Sequence, residues 1–273
     1  MVSLNGDFQL LRKVKKWIIL LICFTALVTF AQEDSIKVKK TAKEEYLIFS
    51  NFPVFTNSKE QKISNLLYSG PGFGFANASE AYRENWRFRI LNLSGVFTYQ
   101  QPYTQTSQVF NPRLDIGFWT YKKWYEDDFQ RLFAGASIYS LLNAKVIPEL
   151  GNSSISAELF PFIQIPIWYE RQVKLLKRDF TGFAKFEFPL YGYFFRLPKF
   201  AVSGLDGIGS FHAPFWRFQR TNFEFGLERK LPNLPNKWRI AYQWEFYHYT
   251  ENEVFETHTV YHYLKISWLL RRK

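Results

Sequence analysis

Along most of the chain, apolar and polar residues alternate with a period of two, the repeat of an extended strand whose side chains point to opposite faces. From Leu91 to Tyr99, Leu91, Leu93, Phe97 and Tyr99 share one face and Asn92, Ser94 and Thr98 the other. Leu114, Ile116 and Phe118 oppose Arg113, Asp115 and Tyr121. Downstream, Leu159, Ile163, Ile165 and Ile167 oppose Glu158, Gln164 and Glu170, and Phe180, Ala184, Phe186 and Phe188 oppose Thr181, Lys185 and Glu187. Phe223, Phe225 and Leu227 oppose Asn222, Glu224 and Glu228; Trp238, Ile240, Tyr242, Trp244 and Phe246 oppose Arg239, Gln243 and Glu245. Val260, Leu264, Ile266 and Trp268 oppose Tyr261, Tyr263, Lys265 and Ser267. The pattern predicts about ten strands, beginning near Leu66, Arg87, Arg113, Arg131, Ile155, Phe180, Phe200, Asn222, Trp238 and Thr259. Tyr46 to Phe55 reads as a further strand, an extended arm or a plug, so ten and twelve strands both remain open.

Segments of about ten residues with one apolar and one charged face, separated by turn chemistry such as Leu231-Pro-Asn-Leu-Pro-Asn236, are what an antiparallel up-and-down transmembrane β-barrel requires. Phe, Tyr and Trp number 30, 16 and 9, an excess that suits aromatic girdles at two membrane interfaces. The alternative is a soluble β-sandwich that binds glycans through exposed Trp and Tyr, because alternation alone does not separate a lipid-facing wall from a core. Strand length near ten and the poverty of Gly/Asn hairpin turns favour the membrane. Pro161, Pro166 and Pro189 fall inside strand-like runs, where a ladder donor is missing, so bulges or segment ends are expected there.

Arg12, Lys13, Lys15 and Lys16 precede an apolar run from Trp17 to Phe30, too short at 14 residues for a spanning helix, which needs about 20. Small residues at Thr29 and Ala31 predict a signal peptide over 1–31 cleaved after Ala31, then a polar arm or plug over 32–64 and the barrel over 65–273. Removing Arg12, Lys13, Lys15, Lys16 and Asp7 takes the net charge from +11 to +8. The single Cys, Cys23, leaves with the same segment, which excludes disulfides, thiol catalysis and thiolate metal sites from the remainder.

The chain after Ala31 resembles small outer-membrane β-barrels of Gram-negative bacteria, and the Thr29-Phe30-Ala31-Gln32 junction resembles signal-peptide ends common in Bacteroidota. It departs from such barrels at Ser267-Trp-Leu-Leu-Arg-Arg-Lys273, where an aromatic residue is the common ending. The resemblance implies the outer membrane as location, with its lipids, lipopolysaccharide among them, and the barrel assembly machinery as partners. A secreted barrel has no use for nucleic acid, despite its basic and aromatic composition.

For a barrel, the polar faces converge on a lumen carrying Asp115, Glu158, Glu187, Glu224, Glu228 and Glu245 against Arg113, Lys185, Arg239 and Lys265. Mixed signs predict a lumen filled by its own paired side chains, since ion-selective pores line themselves with one sign. Arg171, Lys174, Lys177 and Arg178 cluster in one connection, where lipid phosphates would meet them.

Catalytic motifs are scarce. His258 and His262 have the spacing that binds zinc on a helix, but on a strand they stand about 13 Å apart, and neither a metal nor another cofactor is expected. Gly70, Gly72 and Gly74 are followed by no Lys and read as glycines beneath aromatic neighbours in a curved strand. His248-Tyr-Thr250, followed by Glu251 and Glu253, is similar to the His-x-Ser of lipid A deacylase barrels, with Thr in place of Ser. The expected function is therefore non-enzymatic (structural, adhesive or narrow-substrate transport), with a lipid-modifying acylhydrolase as the alternative.

Overall fold

The computed structural model describes residues 44–60, 64–104, 107–149, 155–197, 209–232, 234–251 and 255–272. The predicted signal peptide and its cleavage site lie outside these residues. Eleven strands follow one another: β1 (Glu44–Glu60), β2 (Ser64–Arg83), β3 (Trp86–Pro102), β4 (Val109–Glu126), β5 (Gln130–Val146), β6 (Ile155–Leu175), β7 (Arg178–Leu197), β8 (Gly209–Pro214), β9 (Phe218–Lys230), β10 (Lys237–Glu251) and β11 (Phe255–Arg271). Each long strand pairs antiparallel with its neighbours in sequence, and β1 pairs with β11, so ten staves close into a barrel. The start of β1 and the end of β11 share one end, called here the near end; the opposite rim is the far end.

The eighth stave is broken. The far-end half of β7 pairs with short β8, from Tyr191↔Pro214 to Arg196↔Gly209, and its near-end half pairs with β9, from Thr181↔Glu228 to Glu187↔Asn222. The expected strand at Phe200 begins outside the described residues, and β8 with β9 supplies that stave. A second correction concerns the arm or plug expected over 32–64. Glu44–Glu60 is a full stave, hydrogen-bonded to β2 along its length and to β11, so the barrel includes these residues and does not begin at 65.

The two faces of the staves invert the soluble pattern. Glu187, Gln164 and Asn143 are fully shielded inside, while Phe97, Ile138 and Leu264 are half exposed or more outside. A wall that is apolar where it meets its surroundings and charged where it is enclosed is solvated by hydrocarbon, and this overturns the sandwich alternative.

The aromatic excess divides differently from the girdle expectation. Trp86, Trp124, Phe129 and Trp268 do lie outside toward the near end, but among the described residues seventeen aromatic side chains, from Tyr46 to Tyr263, are buried inside. Phe160, Phe194, Phe218 and Tyr249 form one lumenal cluster, with Phe160 and Phe194 centroids 4.3 Å apart.

Strand prolines occur where one ladder lapses. Pro161 faces Ser140 on β5, while the β6–β7 ladder skips Phe160 and Pro161; Pro166 faces Glu187 on β7, while the β5–β6 ladder skips it. Pro53, Pro71 and Pro112 behave alike, each paired on one side and passed over on the other. A proline lacks one donor, so it fits a sheet if that donor's side is the side left open. Pro189 combines the expected bulge, at Leu190, with the break between β8 and β9.

Elsewhere, a bulge at Leu91, with φ 48°, keeps Arg89 and Ser94 both inward although they differ in parity. A Cβ at Gly74 would overlap the ring of lumenal Phe52, which explains that glycine as predicted. At the near end, Asp127 closes the β4–β5 turn: its carboxylate accepts the N–H groups of Phe129 and Gln130 at 2.7 Å and the Tyr125 hydroxyl at 2.8 Å. Partial burial pushes its pKa up, but these donors outweigh it and hold the carboxyl below its usual value.

Candidate functional site in the lumen

The ten charged residues predicted for the lumen all point into it. Eight further ones were not predicted there: Glu60, Glu80, Glu170, Arg87, Arg89, Lys145, Arg196 and Arg220. Among the described residues these make nine acids and nine bases, arranged in three tiers, with Lys237 joining Glu228 at 3.0 Å at the near-end rim.

The near-end tier is built on Glu80 of β2, which accepts from Arg87 at 2.8 Å, Arg89 at 2.8 Å and Arg239 at 3.5 Å. Arg87 also reaches Glu170 at 2.6 Å, and Arg239 reaches Glu228 at 2.7 Å. Arg87 lies over the Trp168 ring, 3.6 Å from its centroid, and Trp168 stacks on Phe183. A guanidinium sandwiched between carboxylates and an indole face keeps its charge with little water, because the ring quadrupole and the acids replace hydration.

The central tier is built on Glu245 of β10. Its Oε1 accepts from Arg113 at 2.9 Å and from Arg220 at 2.7 Å, and its Oε2 accepts from the Tyr263 hydroxyl at 3.0 Å. Arg113 also holds Asp115 at 2.8 Å, Arg220 donates to Gln164 at 2.8 Å, and Lys185 meets Glu187 at 2.6 Å. Lys265 lies 3.7 Å from Glu224. Between these groups is a cavity of about 40 Å³, room for about three waters. The Oε1 of Gln243, on its wall, has no protein partner and suits such a water.

The far-end tier joins Glu60 and Glu158 to Lys145 and Arg196. Glu60 bonds both bases, Arg196 reaches Glu158 at 2.9 Å, and the Tyr249 hydroxyl donates to Glu158 at 2.6 Å. In each tier one carboxylate, Glu80, Glu245 or Glu60, serves two or more bases, some of them from strands distant in sequence. Acids and bases alternate through the three tiers, unlike the rings of one sign that line ion-selective pores.

The other predicted residues lie outside the lumen. Arg171, Lys174, Lys177 and Arg178 are exposed on the β6–β7 hairpin at the near end. Arg171, opposite Gln130, sits at the rim, whereas Lys174, Lys177 and Arg178 belong to a ribbon that extends past the last pairs of β5 and β9. The ribbon turns at Leu176 and Lys177, both left-handed at φ 51° and 61°. His248 and Thr250 face outward on β10, with His248 Nε2 3.5 Å from Thr250 Oγ1 and His248 Nδ1 3.2 Å from the Thr257 carbonyl oxygen. Glu251 ends β10. Among the described residues no group of His, Cys, Asp and Glu has the arrangement of a metal centre.

The missed lumenal residues had a partial signal. Arg87 and Arg89 alternate with Trp86, Phe88 and Ile90, and Arg196 meets the predicted Glu158 only by pairing β6 with β7, which periodicity does not reveal.

No family model matches the chain, and no curated protein matches it. Solved structures do. The outer membrane protease OmpT of Escherichia coli superposes with a TM-score of 0.52 at 5% identity, covering 88% of this chain and 99% of that one. The translocator domain of the autotransporter NalP of Neisseria meningitidis gives 0.45 at 8% identity, over 94% and 97%. At such identity the likeness to OmpT is one of architecture, and the chain has the fold of a closed ten-stave outer-membrane β-barrel.

Proposed function

We propose that the protein is a non-conducting barrel of a Gram-negative outer membrane, with a structural or adhesive role carried by its ends. The observation behind this reading is the lumen, where acids and bases interlock around a central cavity of about 40 Å³. Outer-membrane lipids, lipopolysaccharide included, surround the wall, with Arg171 placed to meet a lipid phosphate, and the barrel assembly machinery inserts it. The Thr29-Phe30-Ala31-Gln32 junction supports export by a signal peptide cleaved after Ala31 and a Bacteroidota-type host.

The test joins two measurements on the purified full chain. Unheated and boiled samples should migrate differently in SDS, and the native barrel in a planar bilayer should give no stepwise conductance. Steady single-channel steps would replace the closed barrel with a narrow pore.

A lipid-modifying enzyme is the second reading. In its favour, His248 donates through Nδ1 to the Thr257 carbonyl and leaves Nε2 to accept from Thr250, the polarity a general base needs. His248→Ala should leave the lipid A acylation of the host unchanged if the barrel is inert, and a changed acylation pattern would move the assignment to the enzyme.

A further inference from the structure

One face of the outer wall carries carboxamides at membrane depth. Along β1 the outward positions run from Glu45 to Lys59, two charged residues that bracket the apolar Leu47, Phe49 and Phe55. Asn51 lies between them, exposed, six residues from Glu45 and eight from Lys59. At ~3.3 Å per residue and a ~40° tilt it stands about 15 Å and about 20 Å from those ends, near the middle of an apolar band about 25 Å tall. On β2, Phe75 is opposite Asn51 and Asn77 is opposite Phe49, so Asn77, exposed as well, is a diagonal neighbour of Asn51.

Other polar groups on the wall are engaged where they stand. The Tyr242 hydroxyl and His262 Nδ1 meet at 2.6 Å, and the Thr120 hydroxyl donates to the Ala136 carbonyl oxygen at 3.2 Å. Among the described residues no hydrogen bond engages the side chain of Asn51 or Asn77. A carboxamide has two donors and an acceptor oxygen, and hydrocarbon satisfies none of them, so the exposed amide costs free energy until another molecule supplies partners. The depth of Asn51 says what that molecule is. Lipid offers only acyl chain there, because its phosphates and sugars lie at the interface, and water is absent. A second copy related by a two-fold axis along the membrane normal does offer a partner, since that rotation leaves every height unchanged and sets Asn51 opposite itself. The amide is also its own complement: each can donate one N–H to the oxygen of the other.

We propose that this β1–β2 face binds the same face of a second copy, making a dimer of two barrels that point the same way, with the Asn51 pair near its axis and Asn77 beside it. Phe49, Phe73 and Phe75, exposed around the amides, are the rings that pack against their counterparts. The dimer needs the membrane-spanning wall but not a closed lumen, so it stands apart from the reading of conductance above.

The experiment uses the purified full chain in density-matched micelles, its mass read by sedimentation equilibrium over a range of protein-to-detergent ratios. The unaltered chain should be a dimer at the high ratios. Asn51→Leu should weaken association about tenfold, the worth of two hydrogen bonds between membrane segments, while Asn51→Gln, which keeps donor and acceptor, should retain most of it. Cysteines then locate the face. In a Cys23→Ser background under mild oxidation in native membranes, Asn51→Cys should give disulfide-linked dimers, and Ile163→Cys, outward on β6 across the barrel, should not. A monomer at every ratio, Asn51→Leu associating as well as the unaltered chain, or linkage through Ile163→Cys and not Asn51→Cys overturns the proposal. Asn51→Leu puts an apolar group on the lipid side and should fold. Each variant is also run unheated and boiled in SDS: loss of that shift tells against the barrel itself, independently of how many copies associate.

Discussion

On β10, Arg239, Gln243 and Glu245 look inward while Ile240, Trp244 and Phe246 look outward, so one strand contributes to two walls with different rules. The outer wall asks only for apolarity. Its side chains meet fluid lipid, each acts nearly independently, and one aliphatic residue serves about as well as another. The inner wall asks for particular partners, because Glu245 holds Arg113 of β4 and Arg220 of β9 at once. The specificity of this fold therefore resides in its polar interior, the reverse of a soluble domain whose core is apolar.

Breaking the inner wall has the largest expected effect. Glu245→Leu leaves two buried guanidinium groups short of a shared carboxylate and should destabilise the barrel by about 3–5 kcal/mol, read from the urea unfolding midpoint in micelles. Breaking the outer wall ranks second. Ile165→Arg faces lipid midway along β6 and should cost about 2–4 kcal/mol and block assembly, whereas Lys185→Gln, on the inner face, keeps a donor toward Glu187 and should assemble. If the two variants assemble equally well, the assignment of walls is wrong. The smallest effect lies outside both walls. Leu176 and Lys177 occupy left-handed positions that Asn and Gly adopt more readily, so Leu176→Asn/Lys177→Gly should stabilise by about 1–2 kcal/mol, seen as a higher midpoint with the same lumen.

The contrast also decides what was readable from sequence. Where the inner face is charged and the outer aliphatic, as at Arg113, Ile116, Glu158 and Ile163, period two stands out and each residue lands on its expected side. Along β1 the contrast fades: Ile48, Phe52 and Val54 are inward, Phe49 and Phe55 outward, and Pro53 interrupts. With both faces apolar a stave looks like an arm or plug, which is how its role escaped. The site was legible as a mixed-charge interior but not as a lattice, because the partners of Glu60 come from β5 and β7 and only closure of the barrel brings them together. Aromatics were misplaced for a related reason: a ring fits a lipid interface or a guanidinium-lined lumen equally well, and composition does not distinguish them.

The seam between β1 and β11 runs from Tyr46↔Arg271 to Glu60↔Thr257 and is fastened by the Ser50–Ser267 hydroxyl pair at 2.7 Å. It joins the first described stave to the last. Without that ladder the sheet is an open ribbon, and each of its two border strands exposes a row of unpaired backbone donors and acceptors. One ladder between strands more than two hundred residues apart in sequence thus removes both borders at once, and its loss would restore them together.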